Sequence, residues 1–138
     1  MAFETNALVR FAHVDGAGIV FYPRYFEMLN GAVEDWFARA LGADFRNMHQ
    51  ERGIGVPTVQ LEAEFLSPGM LGDDLTVRIT PRRVGRSSCT YDAVFTANGR
   101  DRLKASATLV CMNLTTMKAV PWPDDIRMRM LDDLMPAD

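Results

Sequence analysis

Between Pro23 and Leu41 the apolar side chains recur at steps of three and four: Phe26, Leu29, Val33, Trp36, Phe37, Ala40 and Leu41. Those steps lay one stripe along a helix and predict a long amphipathic helix over 24–41, opened by Pro23. At about 1.5 Å per residue it runs roughly 27 Å, enough to be the single central helix of a small domain. Proline suits a first helical position, because its fixed φ matches the helix and its missing N–H is no loss there. Gly42 stops the pattern. Upstream, residues 3–12 read as a first strand. Downstream, from Ile54, the period becomes two. Val59, Leu61, Ala63 and Phe65 alternate with Thr58, Gln60, Glu62 and Glu64, as in a strand with one buried and one polar face. Pro57 belongs near its start, and Ser67-Pro68-Gly69 breaks it.

Further strands are expected over 75–80, 88–96 and 103–114, with Asn98-Gly99 as a strong turn signal. Residues 42–53 read as a polar loop. Pro121-Trp122-Pro123 closes the sheet region. Asp124 then stands where it would cap a short helix over 124–135, whose Ile126, Met130 and Leu134 recur at four. One strand, one long helix and four more strands predict an α+β domain of two layers: an antiparallel five-stranded sheet with the helix lying on it. Gly31 in mid-helix costs about 1 kcal/mol relative to alanine and fits a close approach of helix to sheet. Neither a repeat nor a linker interrupts the pattern, so residues 1–138 are expected to form a single domain.

Composition narrows the function. The chain is 48% hydrophobic and 24% charged, an ordinary globular balance, with a net charge of −3 that favours no general nucleic-acid binding. The start, MAFETNALVRF, lacks the basic-then-apolar order of a secretory signal, and no apolar run approaches the ~20 residues of a membrane helix. A soluble, cytoplasmic protein is expected. Cys89 and Cys111 fall in strand-like runs and read as two buried free thiols. With no CxxC and two histidines there is little to build a metal site from, so no metal is expected.

The chemistry points to the segment before the helix. No Ser, Thr, Asp or Asn directly precedes Pro23, so the first-turn N–H groups lack a local cap and carry the positive end of the helix dipole. Such a start can receive a carbonyl oxygen that becomes negative during a reaction. Asp15 lies one loop away. On pattern alone Asp15 also reads as a turn residue before a glycine, and His13 as a strand-end residue bonded to local backbone or as a neighbour that orients Asp15 or binds substrate. A G-x-S-x-G nucleophile elbow is absent, which argues against Ser-His-Asp chemistry. Glu27 and Glu34 are alternative bases on the helix, with Glu34 facing solvent or paired to Arg39. His49 reads as a surface residue. A second constellation, Arg82-Arg83-Val84-Gly85-Arg86-Ser87-Ser88, puts three arginines between two strands; arginine forks suit phosphate oxygens, and a solvated hairpin tip is the other reading.

The string Asp15-Gly16-Ala17-Gly18-Ile19-Val20-Phe21-Tyr22-Pro23-Arg24-Tyr25 resembles the opening motif of the 4-hydroxybenzoyl-CoA thioesterase branch of hotdog-fold thioesterases. Length and element order agree over nearly the whole chain. The resemblance implies a hotdog fold, with the sheet wrapped around the helix, and an acyl-CoA thioesterase that needs no metal or redox cofactor. It implies Asp15 as the catalytic carboxylate and the Tyr22 N–H as the donor that polarises the thioester carbonyl. Asn30 stands where aryl-CoA members meet a ring hydroxyl and is a candidate substrate contact, and His13, from its place beside Asp15, is another. Arg86-Ser87 best match the coenzyme A contacts at this hairpin. Asn30 in place of a carboxylate argues against 4-hydroxybenzoyl and leaves other aromatic or short aliphatic acyl groups open. Homodimers or dimer-of-dimers tetramers with interfacial sites are implied too, with strand 58–65 as the candidate edge. The competing reading is an acyl-CoA-binding module without catalysis. A hotdog dehydratase would want its histidine in a different loop context from His13.

Overall fold

The computed structural model describes residues 2–134. Strand β1 (Phe3–Leu8) leads through a single 3-10 turn (Phe11–His13) and a loop into helix α1 (Pro23–Arg39). A π-helical turn (Asn47–Arg52), strand β2 (Ile54–Gly55) and strand β3 (Thr58–Phe65) follow. Strands β4 (Asp74–Val84), β5 (Ser88–Ala97) and β6 (Arg100–Val110) form a meander, and β7 (Met112–Asn113) and helix α2 (Asp124–Asp132) come last. Five strands build one antiparallel sheet in the order β1-β4-β5-β6-β3, and β2 pairs with β7. This is the five-stranded sheet and single long helix expected from the pattern. No helix among the described residues is long and apolar enough to cross a membrane.

Helix α1 buries Tyr25, Met28, Leu29, Ala32, Val33, Trp36 and Phe37. Beneath it the sheet offers Leu75, Val77, Ile79, Tyr91 and Phe95, all closed to solvent. Burying one such side chain stabilises by roughly 1.5–3 kcal/mol. The helix backbone approaches β1 and β4, and Thr5 Oγ1 donates to Asp35 Oδ2 at 2.8 Å between helix and edge strand. Aromatic pairs span the wider gap to β5: Trp36–Tyr91 at 6.1 Å and Tyr25–Phe95 at 5.6 Å between ring centres.

The structure corrects several expectations. The first strand ends at Leu8, because the His13 ring competes for the backbone. Its Nδ1 accepts the Arg10 N–H at 2.8 Å, and the His13 N–H donates to Arg10 O at 2.9 Å, closing a 3-10 turn. Within 42–53, residues 45–52 are helical rather than loop. Asp44 Oδ1 accepts the Asn47 N–H, Met48 is fully buried, and Arg52 forks onto Asp125 at 2.9 and 2.8 Å. Gly31 faces open space, so helix–sheet approach is not its role. Arg39 pairs with Asp35 at 3.7 Å rather than with Glu34, which is exposed. The last long strand divides at Cys111 into β6 and β7. Asp124 is the first helical residue of α2, not its cap, and the helix ends at Asp132; Met135 lies outside the described residues.

Strand β3 departs most from its pattern. Its apolar residues do share one face, since Leu61, Ala63 and Phe65 pair with Ala107, Ala105 and Leu103 of the core side of β6. Yet all eight residues are exposed, Phe65 by 50% and, at a bulge, Val59 by 60%. The helix does not reach far enough across to cover them. Asn98 and Gly99, with φ of 53° and 72°, make the type I′ turn that the Asn-Gly pair announces.

Both cysteines are buried and free. Burial pushes the Cys89 thiol up to about 12 and the Cys111 thiol up to about 11. Native protein near pH 8 should therefore resist an aromatic disulfide reagent, and both thiols should react once the chain is unfolded in denaturant. Rapid labelling of the native protein would show that the strand ends carrying them open.

Candidate active site

The loop between the 3-10 turn and α1 is a closed hairpin. The Phe21 N–H donates to His13 O at 2.9 Å, Val14 and Val20 form an antiparallel bridge, and the Asp15 N–H donates to Ile19 O at 2.9 Å. Gly18, at φ +77°, permits the reversal, and its N–H donates to Asp15 O at 3.0 Å. Asp15 sits at the exposed tip. Its Oδ1 accepts the Ala17 N–H at 2.8 Å, while Oδ2 takes no hydrogen bond among the described residues. The carboxylate is thus oriented by its own turn through one oxygen and open through the other.

The hairpin feeds straight into the helix start. Tyr22 precedes α1 with helical φ and ψ and no side-chain cap, and Pro23 brings no N–H. The Arg24 and Tyr25 N–H groups are taken up by Phe21 O at 2.9 Å and Tyr22 O at 3.2 Å. The N–H of Tyr22 finds no acceptor among the described residues. The uncapped start read from the sequence therefore narrows to one free donor. His13, Asp15 and Tyr22 share one rigid hairpin: His13 at its base, Asp15 at its tip, Tyr22 at its exit into the helix.

Two clefts flank this helix start. One, of about 380 Å³, runs between α1 and the uncovered face of β3, lined by Pro23, Phe26, Glu27, Leu29, Asn30, Val33, Thr58, Leu61 and Tyr91. Asn30 reaches it as the polar residue on the second turn. Glu27 lines it too, but its carboxylate is held by Arg24 at 2.6 Å. The other cleft, of about 300 Å³, is lined by Ile19, Val20, Tyr22, Tyr25, Phe65, Leu66, Ser67 and Pro68. Phe65 stands at ring distances of 6.1, 6.0 and 6.3 Å from Tyr22, Tyr25 and Phe26. The sequence reading missed Phe65, Tyr91 and Leu61 as cleft walls, because an apolar residue at alternating spacing reads as core.

The arginine constellation is broken up. Arg82 and Arg83 lie within β4 at a bulge opposite Tyr91 and Thr90, and Arg82 pairs with Asp92. Arg86 is the one arginine of the three in the turn, with Gly85 and Ser87. The turn is pinned through its backbone: Trp122 N–H to Arg86 O at 2.9 Å, Cys111 N–H to Ser87 O at 2.7 Å, and Gly85 N–H to Ser88 O at 2.8 Å. The Arg86 side chain is exposed and takes no partner among the described residues. The Asp15 hairpin docks on Gly69, Met70 and Leu71, before β4 begins, whereas Arg86 follows its end. Eleven residues of strand separate them, about 30 Å or more at ~3.3 Å each. One chain does not bring Asp15 and Arg86 together. His49 is exposed, with Nδ1 at 2.7 Å from Phe45 O, and is remote from the hairpin in sequence and contacts.

The profile of the thioesterase-like superfamily matches residues 9–130. A 1,4-dihydroxy-2-naphthoyl-CoA hydrolase of Thermosynechococcus vestitus is 33% identical over 119 residues, covering 86% of this chain and 81% of that protein. Among solved structures, a gentisyl-coenzyme A thioesterase superposes with a TM-score of 0.80 at 25% identity, over 92% of this chain and 99% of that one. A 1,4-dihydroxy-2-naphthoyl-CoA thioesterase from Synechocystis superposes with a TM-score of 0.86 at 23% identity, over 96% and 97% of the two chains, and shows the same hotdog fold.

Proposed function

The chain belongs to the thioesterase-like superfamily, and on that footing we propose that it hydrolyses aroyl-CoA thioesters to the free acid and coenzyme A. The observation that carries the reading is a carboxylate with one open oxygen, on the hairpin that leads into a helix start with one unused N–H. The named relatives act on hydroxylated aroyl-CoA esters, and the cleft beside the helix start has aromatic and aliphatic walls with Asn30 as a polar group. Asn30 is placed to meet a ring hydroxyl as donor or acceptor.

In this reading the thioester carbonyl oxygen accepts the Tyr22 N–H, which gains strength as the oxygen becomes negative. The Asp15 carboxylate either attacks the carbonyl carbon or takes a proton from the water that does. Both routes form a new C–O bond, break the C–S bond and expel coenzyme A as thiolate, which is protonated to the thiol. In the first route water then hydrolyses the mixed anhydride. His13 closes the base of the hairpin through its carbonyl and borders the substrate. Arg86 and Ser87 hold the nucleotide end of coenzyme A from a second subunit, because a single chain sets them too far from Asp15. A homodimer, or a tetramer of two dimers, is the assembly this requires, and the bare edge of β3 is its contact.

A thiol-release assay over aroyl- and alkanoyl-CoA esters tests the activity. Aroyl esters should turn over fastest, and binding without release on any ester would leave an acyl-CoA-binding module instead. Asp15→Asn should fold normally and lose turnover by at least about 10²-fold, the lower range for a positioned acid–base group. Near-full turnover in that variant would remove Asp15 from the chemistry. Arg86→Ala should raise KM with little change in kcat, since the nucleotide end is unchanged between ground and transition states; an unaltered KM would detach Arg86 from coenzyme A. Mixing these two variants with subunit exchange should restore, in each heterodimer, one site with both groups intact. At low substrate the mixture should then exceed the mean of its parents. Exchange without gain rejects the shared site, and a fully active monomer in sedimentation rejects the assembly.

A further inference from the structure

Arg102 is a buried cation, 8% exposed; among the described residues the other buried polar side chain is Thr5. The arginine stands where the β5–β6 register slips: Phe95 pairs with Leu103 and Thr96 with Asp101, leaving Arg102 with no cross-strand partner. Its contacts converge on the segment between β3 and β4. The Arg102 carbonyl accepts the Leu66 N–H at 2.9 Å and the Ser67 N–H at 3.2 Å. Its guanidinium donates through Nη1 to Pro68 O, through Nη2 to Ala97 O at 3.3 Å, and lies 3.6 Å from Asp73 Oδ2. The same Asp73 oxygen accepts the Met70 N–H at 2.9 Å. From the helix side, the buried phenol oxygen of Tyr25 accepts the Gly69 N–H at 2.9 Å. Burial raises the Tyr25 pKa, so the phenol stays neutral across the working range.

The segment so held is the bed of the candidate active-site hairpin. The Val20 N–H donates to Gly69 O at 2.8 Å, Ile19 bridges Met70, and the Leu71 N–H donates to Gly18 O at 3.0 Å. The approach is tight: a Cβ on Gly69 would come within 2.6 Å of the Tyr25 hydroxyl and 3.0 Å of a Val20 methyl. Gly18 to Val20 is in turn the limb that orients Asp15 and delivers Tyr22 to the helix start. Burying a guanidinium is costly unless it is paired and bonded. An apolar residue would fill this site more cheaply, but it could not grip Pro68, Ala97 and Asp73 together, and neither could the single ammonium of lysine.

We propose that Arg102 and Asp73 are positioning residues: the pair of buried Arg102 and partly buried Asp73 fixes the 66–73 segment, and through it the hairpin that aims Asp15 and the Tyr22 N–H at the thioester. This rests on the thioesterase reading. The test compares Asp73→Asn and Arg102→Lys with wild type in aroyl-CoA hydrolysis, with rates taken per folded molecule, and in amide hydrogen exchange over residues 18–22. Expected are a fall in kcat of about 10- to 10²-fold, the scale of a misplacement near 1 Å, KM within about two-fold, and faster exchange at Val20 than in β4 and β5. A lower melting temperature with kcat per folded molecule and local exchange unchanged would overturn the proposal. Should Arg102→Lys fail to fold, Asp73→Asn, the smaller change, decides by the same criteria. Should wild type release no thiol from any ester, the thioesterase reading falls. The exchange arm alone then decides whether the pair fixes the hairpin: selective loosening over 18–22 supports it, and unchanged exchange overturns it.

Discussion

One helix cannot cover five strands, and most of this structure follows from that. A helix with its side chains is about 10 Å across, and strands lie ~4.8 Å apart, so α1 spans little more than two of them. It settles over β1 and β4, where Thr5 and Asp35 tie it down. Large aromatic side chains extend its reach to β5. Beyond that the layer runs out. The core face of β3 carries Leu61 at 40% exposure and Phe65 at 50%, and a groove opens between it and the helix. The groove is a consequence of packing arithmetic rather than an insertion, and it begins at the helix start, where the free Tyr22 N–H lies.

That N–H is free for a local reason. A helix start leaves its first donors without partners. Here proline removes one, and two carbonyls in the turn, Phe21 and Tyr22, satisfy the next two. A Ser or Asp cap before Pro23 would have drawn the first turn inward. Without one, the unsatisfied group that remains is single and directional, which is what a reaction with one developing oxyanion needs; a donor of this kind contributes roughly 10²–10³ in rate where it has been removed from acyl-transfer enzymes.

The sequence made the long-range order legible because it is written in period. The stripe from Phe26 to Leu41, the alternation from Val59 to Phe65 and the Asn98-Gly99 turn each specify local geometry, and each element formed. The Asp15–Tyr25 string marks the segment as a loop leading into the helix, and its hydrogen bonds close that loop into a hairpin. What escaped was set by contacts between distant segments. Residues 45–52 wind into a helical turn around one buried side chain, Met48, and an ion pair to Asp125, neither visible as a period. Three nearby arginines looked like one cluster, but a bulge directed Arg82 toward Asp92 and left Arg86 alone at the turn. Arg102 carries no mark of its burial in the sequence; it is buried where the β5–β6 register slips. Bulges defeat alternation because one extra residue inverts every side chain that follows locally.

The separation of Asp15 from Arg86 gains its meaning from the same bare edge. Tyr22 packs on Phe65, at the C-terminal end of β3, whereas Arg86 precedes β5, two strands away and at the opposite end of the sheet. If β3 pairs antiparallel with its own copy, a two-fold axis perpendicular to the sheet exchanges its ends. The partner's Thr58 then lies beside Phe65, and the start of the partner's β5 lies about three strand spacings across, near 14 Å. The extended pantetheine arm of coenzyme A bridges such a span. The symmetry that satisfies an exposed edge would thus also assemble two identical sites, each with the acyl end on one chain and the nucleotide end on the other. In that assembly neither half would need its own long cleft, and a chain with one helix and one sheet would accommodate a substrate longer than its own layer is thick.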